Sequence, residues 1–244
     1  MNDFYLIYLD RYHLGDELFI DELAQRLHRA PTGPPSCGII HGSGEKVERT
    51  LESQGLFPER TNGTIDVDDA KTRQLVERSV RESNQEIVAA LTDEVVPTVG
   101  IQGVDRSLFQ LETDGHLIVS KVGWVAALIK QRVVPVVSAL AHHPTEGHVQ
   151  ELAPAQATTA LAQALAEEDL NVTVVFFTQT GQSGLADALG VKEEVAPEAI
   201  ADTEAVPEGE VIQHVHQAGL QVLITDPQGL FQDPKPTGTR VEDG

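Results

Sequence analysis

Short apolar runs rich in β-branched residues alternate along this chain with stretches of helical period, and that alternation leaves few folds open. Phe4-Tyr5-Leu6-Ile7-Tyr8-Leu9 has no charged residue on either face, so as a strand it needs cover on both sides. Residues 95–101, 133–139, 171–178 and 222–225 read the same way. Between these runs the spacing predicts helices. One is capped by Asp16 and carries Leu18, Leu23 and Leu27, and another, over 45–54, is stopped by Gly55. A long helix over 67–92 presents Leu75, Val76, Val80, Ile87, Val88 and Leu91, and shorter ones cover 125–129, 153–166 and 211–218. Strands separated by helices give an α/β fold with a mostly parallel, helix-covered sheet. The remainder reads as connection: 10–15, a Pro/Gly-rich loop at 31–36, a hairpin around Asn62-Gly63, a peripheral hairpin over 108–119, and a Pro/Gly-rich tail.

Chemistry centres on Cys37-Gly38-Ile39-Ile40-His41-Gly42-Ser43-Gly44, where a buried strand turns on glycines into a helix with Val47 and Leu51 on one face. Bare N–H groups at the positive end of a helix suit a phosphate or a carboxylate, although such a turn also serves as plain punctuation. Lys46 lies two residues beyond the turn, either facing a bound anion or sitting on the helix surface. The charge narrows the partners. With 38 acidic and 17 basic residues, a formal −21, the chain repels nucleic acid and anionic membrane. Its bases are mostly arginine, a pattern that fits a salt-adapted host.

No apolar run approaches the ~18 residues of a membrane span, and the acids Asp3 and Asp10 near the N-terminus do not suit a secretory signal. The single cysteine, Cys37, excludes an internal disulfide and fits a reducing cytoplasm, the expected location. His142-His143 with His148, and His214 with His216, invite a metal reading. No cysteine or carboxylate stands at familiar zinc spacing, so no metal site is expected. Trp124 reads as core or interface. A dinucleotide-binding oxidoreductase is disfavoured because no glycine-rich turn follows the first strand.

The order of motifs resembles the amino acid kinase family, and within it the acetylglutamate kinases. Ile39-Ile40-His41-Gly42-Ser43-Gly44 stands where those enzymes carry a strand ending in His-Gly-Gly-Gly, and Asn62-Gly63 resembles the Asn-Gly before their substrate hairpin. Ser83-Asn84-Gln85-Glu86-Ile87-Val88 resembles their Val-Asn-Lys-Glu-Leu-Val run. Val133-Val134-Pro135-Val136-Val137-Ser138 resembles a Tyr-x-Pro-Val-Val-Ser strand. Gln156-Ala157-Thr158-Thr159-Ala160-Leu161-Ala162 and Gly238-Thr239-Arg240-Val241 complete the series.

The resemblance implies a three-layer αβα sandwich forming one domain over 1–244, with a substrate and dimerisation lobe at 1–140 and a shortened nucleotide-type lobe at 141–244. It implies phosphorylation of the carboxylate of an N-acylated acidic amino acid, as in arginine biosynthesis, with ATP and Mg2+ if the chain is active. It also implies a homodimer built on the long helix. By the same resemblance His41, Gly42, Ser43, Gly44, Arg60, Asn62 and Gly63 face the substrate, and Thr178, Gln179, Thr180 and Gly181 face the nucleotide.

Departures from the family pattern fall on the charged positions. Tyr8 takes the place of the first lysine, with Asp10 and Arg11 at the two glycines that follow. Glu151-Leu152-Ala153-Pro154-Ala155-Gln156 replaces an Asn-x-Asn-x-Asp-Gln segment, so Ala155 stands for the organising aspartate. Thr64-Ile65-Asp66 lacks the substrate arginine, and no counterpart of the second lysine appears around 207–217. Arg11 and Lys46 are the replacement cations to consider, and Arg106 lies on a loop near the family's substrate. Two outcomes follow: a weak or inactive relative of the kinase, or a non-catalytic ligand-binding or regulatory paralogue that partners an active kinase.

Overall fold

The computed structural model describes residues 2–30, 36–67, 69–188, 190–200 and 203–243. Pro31–Pro35 of the expected loop and Asp68 of the expected long helix lie outside them. An eight-stranded sheet runs Glu194–Val195, Thr239–Val241, Gln221–Thr225, Leu170–Phe177, Asn2–Leu9, Cys37–His41, Val134–Ser138 and Thr98–Gln102 from edge to edge. Its six strands from Gln221–Thr225 to Thr98–Gln102 are parallel. Thr239–Val241 returns antiparallel to Gln221–Thr225 and takes Glu194–Val195 alongside in its own direction.

The apolar first run works as its sequence requires. Phe4, Leu6 and Tyr8 face one core with Phe176, Leu161 and Val215, whereas Ile7 and Leu9 face the other with Leu23, Leu27, Ile87 and Leu91. Period-two alternation on a doubly covered sheet thus makes the three layers. One outer layer holds Pro154–Ala166, Gly123–Lys130 and Gly209–Gln217, and the other holds Glu17–Arg29 and Ala70–Asp93.

The caps fall where short polar side chains can take free amides. Asp16 accepts from the Leu18 and Phe19 amides at 3.0 and 3.2 Å, and Asp69 accepts from Lys71 and Thr72, which starts the long helix at Ala70. Leu18, expected on the apolar face, is exposed because Phe19, Ile20 and Leu23 supply that face. The 10–15 connection holds a one-turn helix, Arg11–Leu14, capped by Asp10. Asn62 and Gly63 both have positive φ, 52° and 83°, as a two-residue primed turn requires.

One expectation is extended and another is corrected. The 108–119 hairpin is part of a second sheet ordered Val149–Glu151, Leu140–His142, Phe109–Leu111, Leu117–Val119, and the tail contains Pro227–Leu230 as a helix and Thr239–Val241 as a strand.

Candidate functional site

The parallel strands deliver their loops to one edge of the sheet, the usual place for a ligand in an open α/β fold. Cys37–His41 ends there in Gly42-Ser43-Gly44, all buried, with Gly44 as the uncapped start of helix Glu45–Ser53. The glycines permit close approach, and the group that approaches is the chain's own. A Cβ on Gly42 would lie 2.6 Å from Glu151 Oε1, and one on Gly44 would lie 3.0 Å from Leu14 Cβ. The Ser43 amide donates to Glu151 Oε1 at 2.5 Å, and the Ser43 hydroxyl donates to Glu151 Oε2 at 2.9 Å. A carboxylate in cis therefore sits on the donors that an anionic ligand would use.

A second carboxylate closes the neighbouring strand end. Tyr8 is buried, and its hydroxyl donates to Glu208 Oε2 at 2.5 Å, while Arg11 Nε lies 3.5 Å from Glu208 Oε1. Glu208 holds a left-handed backbone at φ 53°, just before helix Gly209–Gln217. Asp10 turns inward. Its carboxylate accepts from the His13 amide at 3.0 Å and lies 2.7 Å from His13 Nδ1, and the His13 ring packs on Phe19 and Phe177.

Arg60 is clamped between three elements: Nε donates to Glu48 at 2.7 Å, Nη1 to the Gly63 carbonyl at 2.7 Å, and Nη2 to the Ser43 carbonyl at 3.5 Å. Lys46 is exposed and paired with Glu86 on the long helix. Arg11, Lys46 and Arg60 are thus each paired with a carboxylate of the chain itself.

Burial sets the charge state of the cluster. Desolvation raises the Glu151 carboxyl above its usual range, against the two Ser43 hydrogen bonds and Arg60. Desolvation likewise raises Glu208, opposed by the Tyr8 hydrogen bond and reinforced by Asp10. Burial and then Glu208 push the Tyr8 phenol well up, so it stays a neutral donor. Such a donor set does not fit a magnesium nucleotide. The Ser43 amide is taken, Arg11 and Arg60 each have a carboxylate partner, and Asp10, Glu151 and Glu208 are occupied by internal contacts.

The other expected site residues are distributed unevenly. His41 is fully buried, and its ring lies 2.9 Å from the Gly42 carbonyl and 3.1 Å from Asn84 Nδ2, so it ties the turn to the long helix. The Asn62-Gly63 turn folds against the start of helix Pro154–Ala166, with the Gly63 Cβ position 2.9 Å from Pro154 Cδ. Thr178 lies at the same sheet edge, on the far side of Asn2–Leu9. Its hydroxyl bonds the Gln182 carbonyl and its carbonyl lies 3.4 Å from His13 Nε2. The Gln179 amide bonds the Ala205 carbonyl, whereas Thr180 and Gly181 are exposed. Arg106 lies away from this cluster, its guanidinium 5.0 Å from the Trp124 ring centroid. Sequence reasoning did not single out Glu208, 200 positions from its partner, and took Glu151 only as a replaced asparagine.

Comparison with known proteins fits this geometry. The chain matches the Amino acid kinase family over residues 13–181. It is 27% identical over 162 residues to the acetylglutamate kinase of Staphylococcus saprophyticus, covering 61% of this chain and 60% of that one. It is 29% identical over 163 residues to the acetylglutamate kinase of Streptomyces avermitilis, covering 60% and 52%. The chain thus spans about half to three-fifths of the length of the curated relatives it matches. Among solved structures, smu.665 from Streptococcus mutans UA159 superposes with a TM-score of 0.69 at 18% identity over all of both chains. N-acetylglutamate synthase from Neisseria gonorrhoeae, complexed with coenzyme A and L-arginine, gives 0.70 at 18% over 99% of this chain and 62% of that one. A family match across more than half the sequence, on a sheet of this order with its glycine turn at the strand ends, places the chain in the amino acid kinase family.

Proposed function

We propose that this chain is an acetylglutamate kinase-like protein whose phosphoryl transfer is weak or lost. One observation carries the reading: the Glu151 carboxylate on the Ser43 amide and hydroxyl. Moving a phosphoryl group between ATP and a carboxylate brings anions together, so catalysis rests on aimed donors and cations. Removing one such donor typically costs ~100–1,000-fold in rate, and here a cis carboxylate replaces a ligand while Tyr8 stands for a cation. On this reading residues 141–244 are a shortened nucleotide-type lobe, and 1–140 are the lobe for an N-acylated acidic amino acid. The chain pairs with a second copy beside the long helix Ala70–Asp93, next to the open edge strand Thr98–Gln102. Such a protein serves as a non-catalytic ligand-binding or regulatory paralogue of an active kinase.

A second reading, a working kinase using ATP and Mg2+, draws on Arg11. Its side chain is 47% exposed and its contact with Glu208 is a long one, so it has room to turn toward a ligand. A coupled ADP-release assay with acetylglutamate and related N-acylated acids separates the two. We expect no turnover above a Gly44→Asp control; turnover well above it that Arg11→Ala abolishes overturns the proposal.

A further inference from the structure

We propose that the tip of the hairpin joining Leu140–His142 to Val149–Glu151 binds a divalent transition-metal ion of the zinc class through His143, Glu146 and His148. Paired inspection of the histidines gives no metal pattern, because the carboxylate lies inside the loop between them. The fold supplies it. The His143 amide bonds the His148 carbonyl at 2.7 Å, and the Gly147 amide bonds the His143 carbonyl at 3.2 Å, with Gly147 at φ 72°. That closure sets the two histidines face to face, with ring centroids 4.8 Å apart and planes inclined by 22°. It also brings Glu146 Oε2 to 3.2 Å from His148 Nδ1.

One donor atom from each of the three residues falls within 4.8 Å of the others. Tetrahedral zinc with bonds of about 2.0–2.1 Å wants donors roughly 3.3 Å apart, so closing on an ion takes ring rotations of about an ångström. The exposed loop allows this. His143 Nδ1 receives only long contacts, 3.2–3.4 Å, from the Thr145 and Glu146 amides and the Thr145 hydroxyl, which an ion can displace.

Chemistry favours an ion over the alternative of a simple His148–Glu146 ion pair. Two stacked imidazoles repel when both are protonated, whereas one shared cation satisfies both rings and the carboxylate. Asp66, Arg73 and Glu77 line the same cavity of about 390 Å³, and the acids outnumber the one base. Two imidazoles with one carboxylate suit zinc, cobalt, nickel or copper and not magnesium or calcium, and three protein ligands leave a position for water. The hairpin leads directly into Glu151, three residues past His148, so an ion there stiffens the strand that holds the cradle carboxylate.

The test uses the whole, chelator-stripped chain and zinc alone, followed by calorimetry and by competition with a chromophoric chelator. We expect about one equivalent bound per chain, unaffected by millimolar magnesium. His143→Ala and His148→Ala should each weaken binding at least tenfold, and Glu146→Gln should weaken it measurably, while His214→Ala leaves it unchanged. Cobalt should show d–d absorption that the His148→Ala variant lacks. Circular dichroism and melting of each variant confirm the fold, and should His148→Ala fail to fold, Glu146→Gln at its exposed position gives the same reading. Wild-type zinc binding no tighter than that of the His143→Ala or Glu146→Gln variants overturns the site, as does loss on His214→Ala. None of these readouts depends on kinase activity.

Discussion

His41 lies under the sheet edge with the long helix on one side and the glycine turn on the other. Asn84 Nδ2 reaches both His41 Nε2, at 3.1 Å, and the Val136 carbonyl, at 2.9 Å. With Nε2 accepting, the proton sits on Nδ1 and is donated to the Gly42 carbonyl, so the ring is a neutral bridge. Asn84→Leu leaves the buried His41 Nε2 without its donor, at about 1–3 kcal/mol. Urea unfolding should show a lower midpoint with an unchanged slope. Burial also pulls the His41 pKa down from 6.5 to about 4. The unfolded chain gains a proton below pH 6.5 that the folded chain refuses until near pH 4, so this stability is lost as pH falls through that window. The stability advantage of wild type over His41→Gln should therefore shrink between pH 7 and pH 4, by at most roughly 3 kcal/mol. Glu151 and Glu208, raised by burial, carry the opposite sign: their contribution is present at low pH and lost as pH rises through their folded values. At this scale the sequence reveals types more readily than partners. His41 and Ser43 are legible as members of a turn, but the carboxylate that occupies it comes from position 151, whose identity alone does not say where it points.

Among the elements, those with a full period were legible and those without were not. Asn2–Leu9 and Ala70–Asp93 declare themselves through doubly buried alternation and a 3.6-residue stripe. Leu140–His142, Val149–Glu151 and Thr239–Val241 are only three residues long, too short for their spacing to announce them. That blindness reaches the candidate site, because the second sheet is what brings Glu151 to Ser43. The Asn62-Gly63 turn is the exception: a two-residue connection whose chemistry fixes its shape. Gly63 has φ 83°, and an added Cβ would stand 2.9 Å from Pro154 Cδ. Gly63→Ala should cost about 1–3 kcal/mol from backbone strain and contact together. A melting scan reads the loss, and Asn62→Gly, which keeps the turn open to positive φ, should stay within about 0.5 kcal/mol of wild type.

On the scale of the whole molecule the formal charge of −21 dominates. Raising salt from ~0.1 M to ~1 M shortens the screening length from ~10 Å to ~3 Å. Repulsion among 38 acids weakens accordingly. The ion pairs screened along with it, such as Arg26–Glu22 and Arg78–Glu82, are exposed and worth only tenths of a kcal/mol each. The melting temperature should therefore rise in molar sodium chloride; a flat response would show that self-repulsion does not limit this fold.

The Tyr8–Glu208 bond also limits what a single substitution can do at this site. A Tyr8→Lys change would place an ammonium at the end of the first strand. It would meet the Glu208 carboxylate first and be captured in a sterile pair, while Glu151 still held the turn. A working cation at this strand end therefore takes changes at Glu208 and Glu151 as well, because each glutamate holds its own strand end.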